Sequence, residues 1–99
     1  MTTVYKAVAV VGLPATELAK DYDAFEDQYG EHEDTLRLVP PYFDASFEDS
    51  LVGVVVYEVE YGSMELSMIS AQQAVYRAMD KFRALTGKSG KLFLSVDSY

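Results

Sequence analysis

Apolar residues recur along this chain with two periods, and the changes between them mark out six segments. Residues 3 to 11, Thr-Val-Tyr-Lys-Ala-Val-Ala-Val-Val, are rich in β-branched side chains and hold no breaker, which predicts a central first strand ended by Gly12. Pro14 then stands where a first helical position tolerates proline, and Leu18, Tyr22, Phe25 and Tyr29 follow at helical spacing up to Gly30. This predicts one amphipathic helix with a glycine stop. Thr35 to Val39 alternates weakly and is closed by Pro40-Pro41, as suits a short edge strand.

Leu51 to Tyr61 gives the strongest strand pattern, with Val55, Tyr57, Val59 and Tyr61 expected under the helices and Val54, Val56, Glu58 and Glu60 on the other face. After Gly62, Ser70-x-x-Gln73 reads as a capping box, and Met68, Ala71, Val75, Ala78, Met79 and Phe82 form the apolar stripe of a second helix closed by Gly87. Lys91 to Asp97 is a last strand, with Leu92, Leu94 and Val96 on one side. The order βαββαβ predicts an α+β fold, a ferredoxin-like sandwich with two helices on one face of a four-stranded antiparallel sheet whose first and third strands are central. At 99 residues the chain has room for one hydrophobic core, so residues 1–99 are expected to be a single domain.

Charge changes the picture more than composition does. Of the net −8, seven units fall between residues 17 and 34, where Glu17, Asp21, Asp23, Glu26, Asp27, Glu31, Glu33 and Asp34 face Lys20 alone. The sign reverses from Arg77 to Lys91, where Arg77, Lys81, Arg83, Lys88 and Lys91 outnumber Asp80. Direct binding to a phosphate backbone is therefore not expected outside the C-terminal third. The sequence has no cysteine, which removes disulfides, thiolate metal sites and thiol catalysis. Ala7 to Leu13 is too short to span a bilayer and makes a poor signal peptide, and a cytoplasmic location without membrane contact is expected.

Carboxylates in the last turn of the first helix oppose its dipole, so Asp27 and Glu31 cost a little stability and hint at a docking surface. A solvated face kept charged for solubility explains the same residues. His32 is the only histidine, and it has no second imidazole or thiolate to complete a metal site and no nucleophile to serve as a base. Neither a metal nor another cofactor is expected. The Asp21-x-Asp23 start lacks the glycine and glutamate of an EF-hand loop, having Glu26 and His32 there.

Glu58 and Glu60 share a sheet face and are a conceivable acid/base pair, unless Lys6 and Arg37 neutralise them. The expected neighbours Val4, Val8, Val10, Val54, Val56 and Phe93 make that face apolar enough to pair with a second copy. Gly87-Lys88-Ser89 is a helix cap and turn, because a phosphate-binding loop would need glycine where Phe82 stands. Val52 to Tyr57 lacks the basic and aromatic pattern of an RNA-binding sheet. Finally, Tyr42, Phe43 and Phe47 with Asp44, Glu48 and Asp49 form an aromatic acidic loop, tucked against the helices or held out as anchors.

The expected function is a non-enzymatic interaction module that meets a basic protein surface through Glu17, Asp21, Asp23, Asp27, Glu31, Glu33 and Asp34 together with Tyr42, Phe43, Phe47, Glu48 and Asp49. In its concrete form it is an inhibitor that imitates a run of phosphates, as small phage-encoded counter-defence proteins do. The alternative is a dimeric α+β barrel or similar small-ligand domain, with Tyr57, Glu58, Glu60 or His32 in its pocket.

Overall fold

The computed structural model describes residues 5–42, 44–60 and 65–98. Six elements follow one another as β1 (Tyr5–Pro14), α1 (Tyr22–Tyr29), β2 (Arg37–Val39), β3 (Leu51–Val59), α2 (Met68–Thr86) and β4 (Lys91–Ser98). The strands form one antiparallel sheet in the order β2-β3-β1-β4, so β1 and β3 are central and β2 is a three-residue edge. Thr3, Val4, Phe43, Tyr61 and Gly62, to which the pattern assigned strand, loop or breaker roles, lie outside the described residues.

Gly12 does not end the first strand. It pairs with Gly53 inside the β1–β3 ladder, which runs on to Pro14 opposite Leu51. A proline is tolerated there because it is the last residue of the strand, where a missing amide breaks no further rung.

The expected helix from Pro14 to Gly30 is correspondingly broken. Ala15–Glu17 form a single 3-10 turn, anchored where the Ala15 amide donates to the Ser50 carbonyl at 2.9 Å. Asp21 then adopts an extended conformation, φ −155° and ψ 177°, and its carboxylate accepts from the Ala24 amide at 2.9 Å. This aspartate is an N-cap, and it restarts the helix one turn later than periodicity alone implies. Gly30 keeps right-handed angles, φ −56°, and leads into a further 3-10 turn, Gly30–His32, instead of acting as a left-handed stop.

The second helix starts three residues before the anticipated box. Ser67 is its N-cap, with the Ser70 amide donating to its hydroxyl oxygen at 3.5 Å, so Met68 opens the helix and is exposed. Gly87 closes the helix as anticipated, at φ 74°, with its amide donating to the Arg83 carbonyl at 2.8 Å.

One buried cluster joins Val11 and Leu13 of β1, Val52 and Val54 of β3, Phe25 and Tyr29 of α1, and Ala78 and Phe82 of α2, with Ala15, Leu18 and Leu36. Both helices therefore cover the same face of the sheet. Tyr22, placed with the core by spacing, is instead about half exposed, and so is Met79 of the α2 stripe.

The alternation of β3 is shifted relative to its sequence pattern. Opposite β1, Ala9 pairs with Tyr57 but Val10 pairs with Val55, so Val56 is an extra residue in a β-bulge. Val54 is buried in the cluster and Val56 packs against it, while Val55 pairs with Val10 on the opposite face. Beyond the bulge Tyr57 and Val59 pair with Ala9 and Ala7, which restores the helix side for them and leaves Glu58 on the open face.

Candidate functional site

Every carboxylate-bearing residue of the acidic segment is exposed: Glu17, Asp21, Asp23, Glu26, Asp27, Glu31, Glu33 and Asp34. α1 divides its faces as an amphipathic helix should, with Phe25 and Tyr29 buried and Asp23 and Asp27 on its exposed side. Two of the acids have structural tasks as well. Asp21 caps the helix, and Glu26 accepts a hydrogen bond from the Tyr22 hydroxyl, which with the charge of Glu26 pushes the Tyr22 phenol above its usual 10.0. The Tyr22–Glu26 pairing was not anticipated, although an i, i+4 spacing on a helix is the signal that reveals it.

His32, half-buried in the 3-10 turn after α1, has its Nε2 3.4 Å from a Glu31 carboxylate oxygen. Among the described residues no group of three or more His, Asp or Glu side chains is placed to hold a metal ion. The Lys88 ammonium, in the basic third of the chain, donates to the Glu17 carbonyl oxygen at the start of the segment.

The aromatic acidic loop is partly tucked in and partly exposed. Phe47 lies 5.9 Å from Phe25 and 6.5 Å from Tyr22 between ring centres, the latter edge-on, which fastens the loop to α1. Tyr42 is exposed and donates to the Asp49 carboxylate at 3.4 Å, which also accepts from Ser46 at 3.0 Å. Ser50 is buried and donates to the Ser46 carbonyl at 2.9 Å. Glu48 is exposed, Asp44 adopts a left-handed φ of 67°, and Phe43 is outside the described residues. The loop thus stands next to α1, and together they present Asp23, Asp27, Tyr42, Glu48 and Asp49 to solvent.

Glu58 and Glu60 do not form an isolated acid/base pair. The Glu58 carboxylate is bound to the Lys6 ammonium and has the Arg37 guanidinium at 3.6 Å, and the hydrogen bond from Lys6, ahead of the charges of Lys6 and Arg37, holds its carboxyl below the usual 4.5. A carboxylate held ionised in this way is a poor proton donor. Beside it, Lys6, Val8, Arg37, Leu38, Val39, Pro40, Val55 and Ser95 line a cavity of about 210 Å³, which is smaller than the roughly 300 Å³ at which ligand pockets usually begin.

The open face is also less apolar than the sequence pattern implied. Val54 and Val56 have moved to the helix side, and Val8 and Val10 are already buried. Val4 lies outside the described residues, and no described helix is long and apolar enough to cross a membrane. Compared with protein-family models, with characterised proteins and with solved structures, the chain has no match.

Proposed function

We propose that this chain is a non-enzymatic protein-interaction module whose acidic α1 surface, with the adjoining aromatic loop, docks on a basic surface of a partner protein. The observation that carries this reading is the exposure of all eight acidic side chains between residues 17 and 34 around one short helix. Asp27, near the C-terminal end of α1, opposes the helix dipole, a cost that folding alone does not require. Phe47 holds the loop against α1, so Tyr42, Glu48 and Asp49 extend the same surface. In its sharpest form the surface imitates a run of phosphates and competes with nucleic acid for the partner's basic groove. Direct nucleic-acid binding would be repelled by the same charges.

At the level of architecture we read the fold as ferredoxin-like, supported by the element order, by the strand order β2-β3-β1-β4, and by one core shared between both helices and the sheet. That architecture serves many functions, so the interaction reading rests on the acidic surface alone.

The test is affinity capture from the native host with the wild-type chain and with Asp23→Lys/Asp27→Lys, across a salt series. A captured protein that elutes steeply with salt, is lost with the charge-reversed variant, and loses nucleic-acid binding when the wild-type chain is added supports the proposal. Capture that is indifferent to salt or to the charge reversal refutes it.

A further inference from the structure

β4 closes the sheet at the edge opposite β2, and it is the longer of the two edges, eight residues against three. Natural edges are usually protected by charges, proline, bulges or shortness. Between Leu92 and Val96 this one has no charge, proline or glycine, and its ladder to β1 runs without a register shift. Leu92 and Leu94 pair with Val11 and Ala9, so they lie on the helix-covered side, yet Leu92, Leu94 and Val96 are 58%, 73% and 59% exposed.

The position of α2 explains the exposure. The helix packs on β3 and β1, with its Ala74–Lys81 flank lining a cavity together with Val54 and Val56 of β3. At about 100° per residue the opposite flank carries Met68 and Met79, both exposed, and by the strand order β3-β1-β4 it lies towards the β4 side. The apolar strand thus borders an exposed strip beside two exposed methionines of the helix.

We infer that a second copy of this chain covers the strip, by antiparallel pairing of β4 with β4 about a twofold axis through Leu94. The sequence of β4 is self-complementary about that residue. The axis sets Leu92 opposite Val96, Phe93 opposite Ser95, and Lys91 opposite Asp97 of the second copy, twice over. An axis on Phe93 or Ser95 loses the Lys91–Asp97 match. Pairing makes one continuous eight-stranded sheet from two sheets of four and satisfies the outer backbone groups of both edges.

Electrostatics agrees with this arrangement. The α1 part of the acidic segment borders β2, since Tyr22, Glu26 and Glu33 share a cavity with Leu38. β2 lies three strand spacings, roughly 14 Å, from β4 in each copy. The α1 carboxylates of the two copies therefore stay farther apart than the screening length of about 8 Å at physiological salt. The dimer is independent of the partner proposed above and leaves both acidic surfaces free at its distal ends.

Light scattering coupled to size exclusion, from micromolar to near-millimolar concentration, is expected to show a species of twice the chain mass. Leu94→Lys, which opposes two ammonium groups on the axis of an already exposed position, is expected to give a monomer that melts at the temperature of the wild-type chain diluted until it is monomeric. The chain has no cysteine, so Leu94→Cys should form a disulfide-linked dimer under mild oxidation, because directly opposed residues have Cα atoms within disulfide reach, whereas Lys81→Cys should not. Lys91→Asp and Asp97→Lys chains should each self-associate weakly and pair with one another when mixed. A wild-type chain that stays monomeric, or a wild-type dimer whose Leu94→Cys variant does not cross-link, overturns the inference.

Discussion

Gly12 and Gly53 face each other across the β1–β3 ladder so closely that a Cβ on Gly12 would stand 2.7 Å from the Gly53 Cα, and one on Gly53 would stand 2.8 Å from the Gly12 Cα. The obstacle is backbone on both sides, which cannot swing aside as the end of a flexible side chain can. Two central strands therefore meet at a point that admits no side chain, between the core pairs Val11–Val54 and Leu13–Val52.

Gly12→Ala is accordingly expected to destabilise the fold by about 3 kcal/mol, the upper range for overpacking. Gly53→Ala should cost a similar amount. Gly87→Ala carries a different penalty, because no atom crowds that position and only its left-handed φ of 74° resists a side chain; about 1 kcal/mol is expected there. Urea denaturation of the three variants checks the ranking, and a Gly12→Ala protein as stable as wild type would show that the strands can separate locally.

Glu58 gives a pH dependence of known sign. Its carboxyl is held below 4.5 in the folded protein, first by the hydrogen bond from Lys6. The unfolded chain therefore binds the proton more readily than the folded one. The stabilisation is full above the ordinary carboxylate value and fades as pH falls through the lowered one. A third of the side chain is exposed, so screening limits the effect to about 0.5–1 kcal/mol. Glu58→Gln should be less stable than wild type by that margin at neutral pH and equal to it at pH values well below the carboxylate range, as read from urea midpoints.

The elements that were legible in the sequence are those specified by side-chain type in a continuous run. β1, β3, β4 and α2 all appear where β-branched runs or a long apolar stripe place them, and Gly87 closes α2. Errors arose where one residue carries two meanings. Gly12 reads as a strand breaker, but here its missing side chain serves a close strand crossing. Asp21 reads as one acid among eight, but it caps α1 and splits a helix that the stripe from Leu18 to Tyr29 makes continuous. The exposure of the acidic segment was legible from charge density. The Tyr22–Glu26 bond was not, since helical spacing puts Tyr22 in the core stripe and not at the exposed position where it meets Glu26, and the fastening of Phe47 to α1 was not, since a loop residue carries no periodic signal.

The cap can be separated from the acidic surface. Asp21→Ala removes the acceptor for the Ala24 amide and should cost about 1 kcal/mol, whereas Asp21→Ser, which keeps an acceptor and removes the charge, should cost a few tenths of that. Asp23→Ser should leave stability within about 0.5 kcal/mol. Thermal melts of the three, run beside capture of the partner, distinguish charge needed for docking from charge needed for the helix.

The bulge at Val56 makes a prediction that the plain alternation of β3 reverses. With it, Val54 enters the helix-side core and Val55 faces Val10 on the open side. Without it, Val55 would be the core residue. Valine and threonine have nearly the same shape, so exchanging them tests polarity with little change in packing. In Val54→Thr a hydroxyl would replace a methyl group at a buried position of the helix-side cluster, at a cost of about 1–3 kcal/mol. In Val55→Thr the hydroxyl would stand at a half-buried position beside the cavity lined by Lys6 and Arg37, where water and polar groups are at hand, and stability should change by less than about 0.5 kcal/mol. Equal costs, or a larger cost at Val55, would mean that β3 pairs with β1 in an unbulged register, which would also return Val56 to the open face.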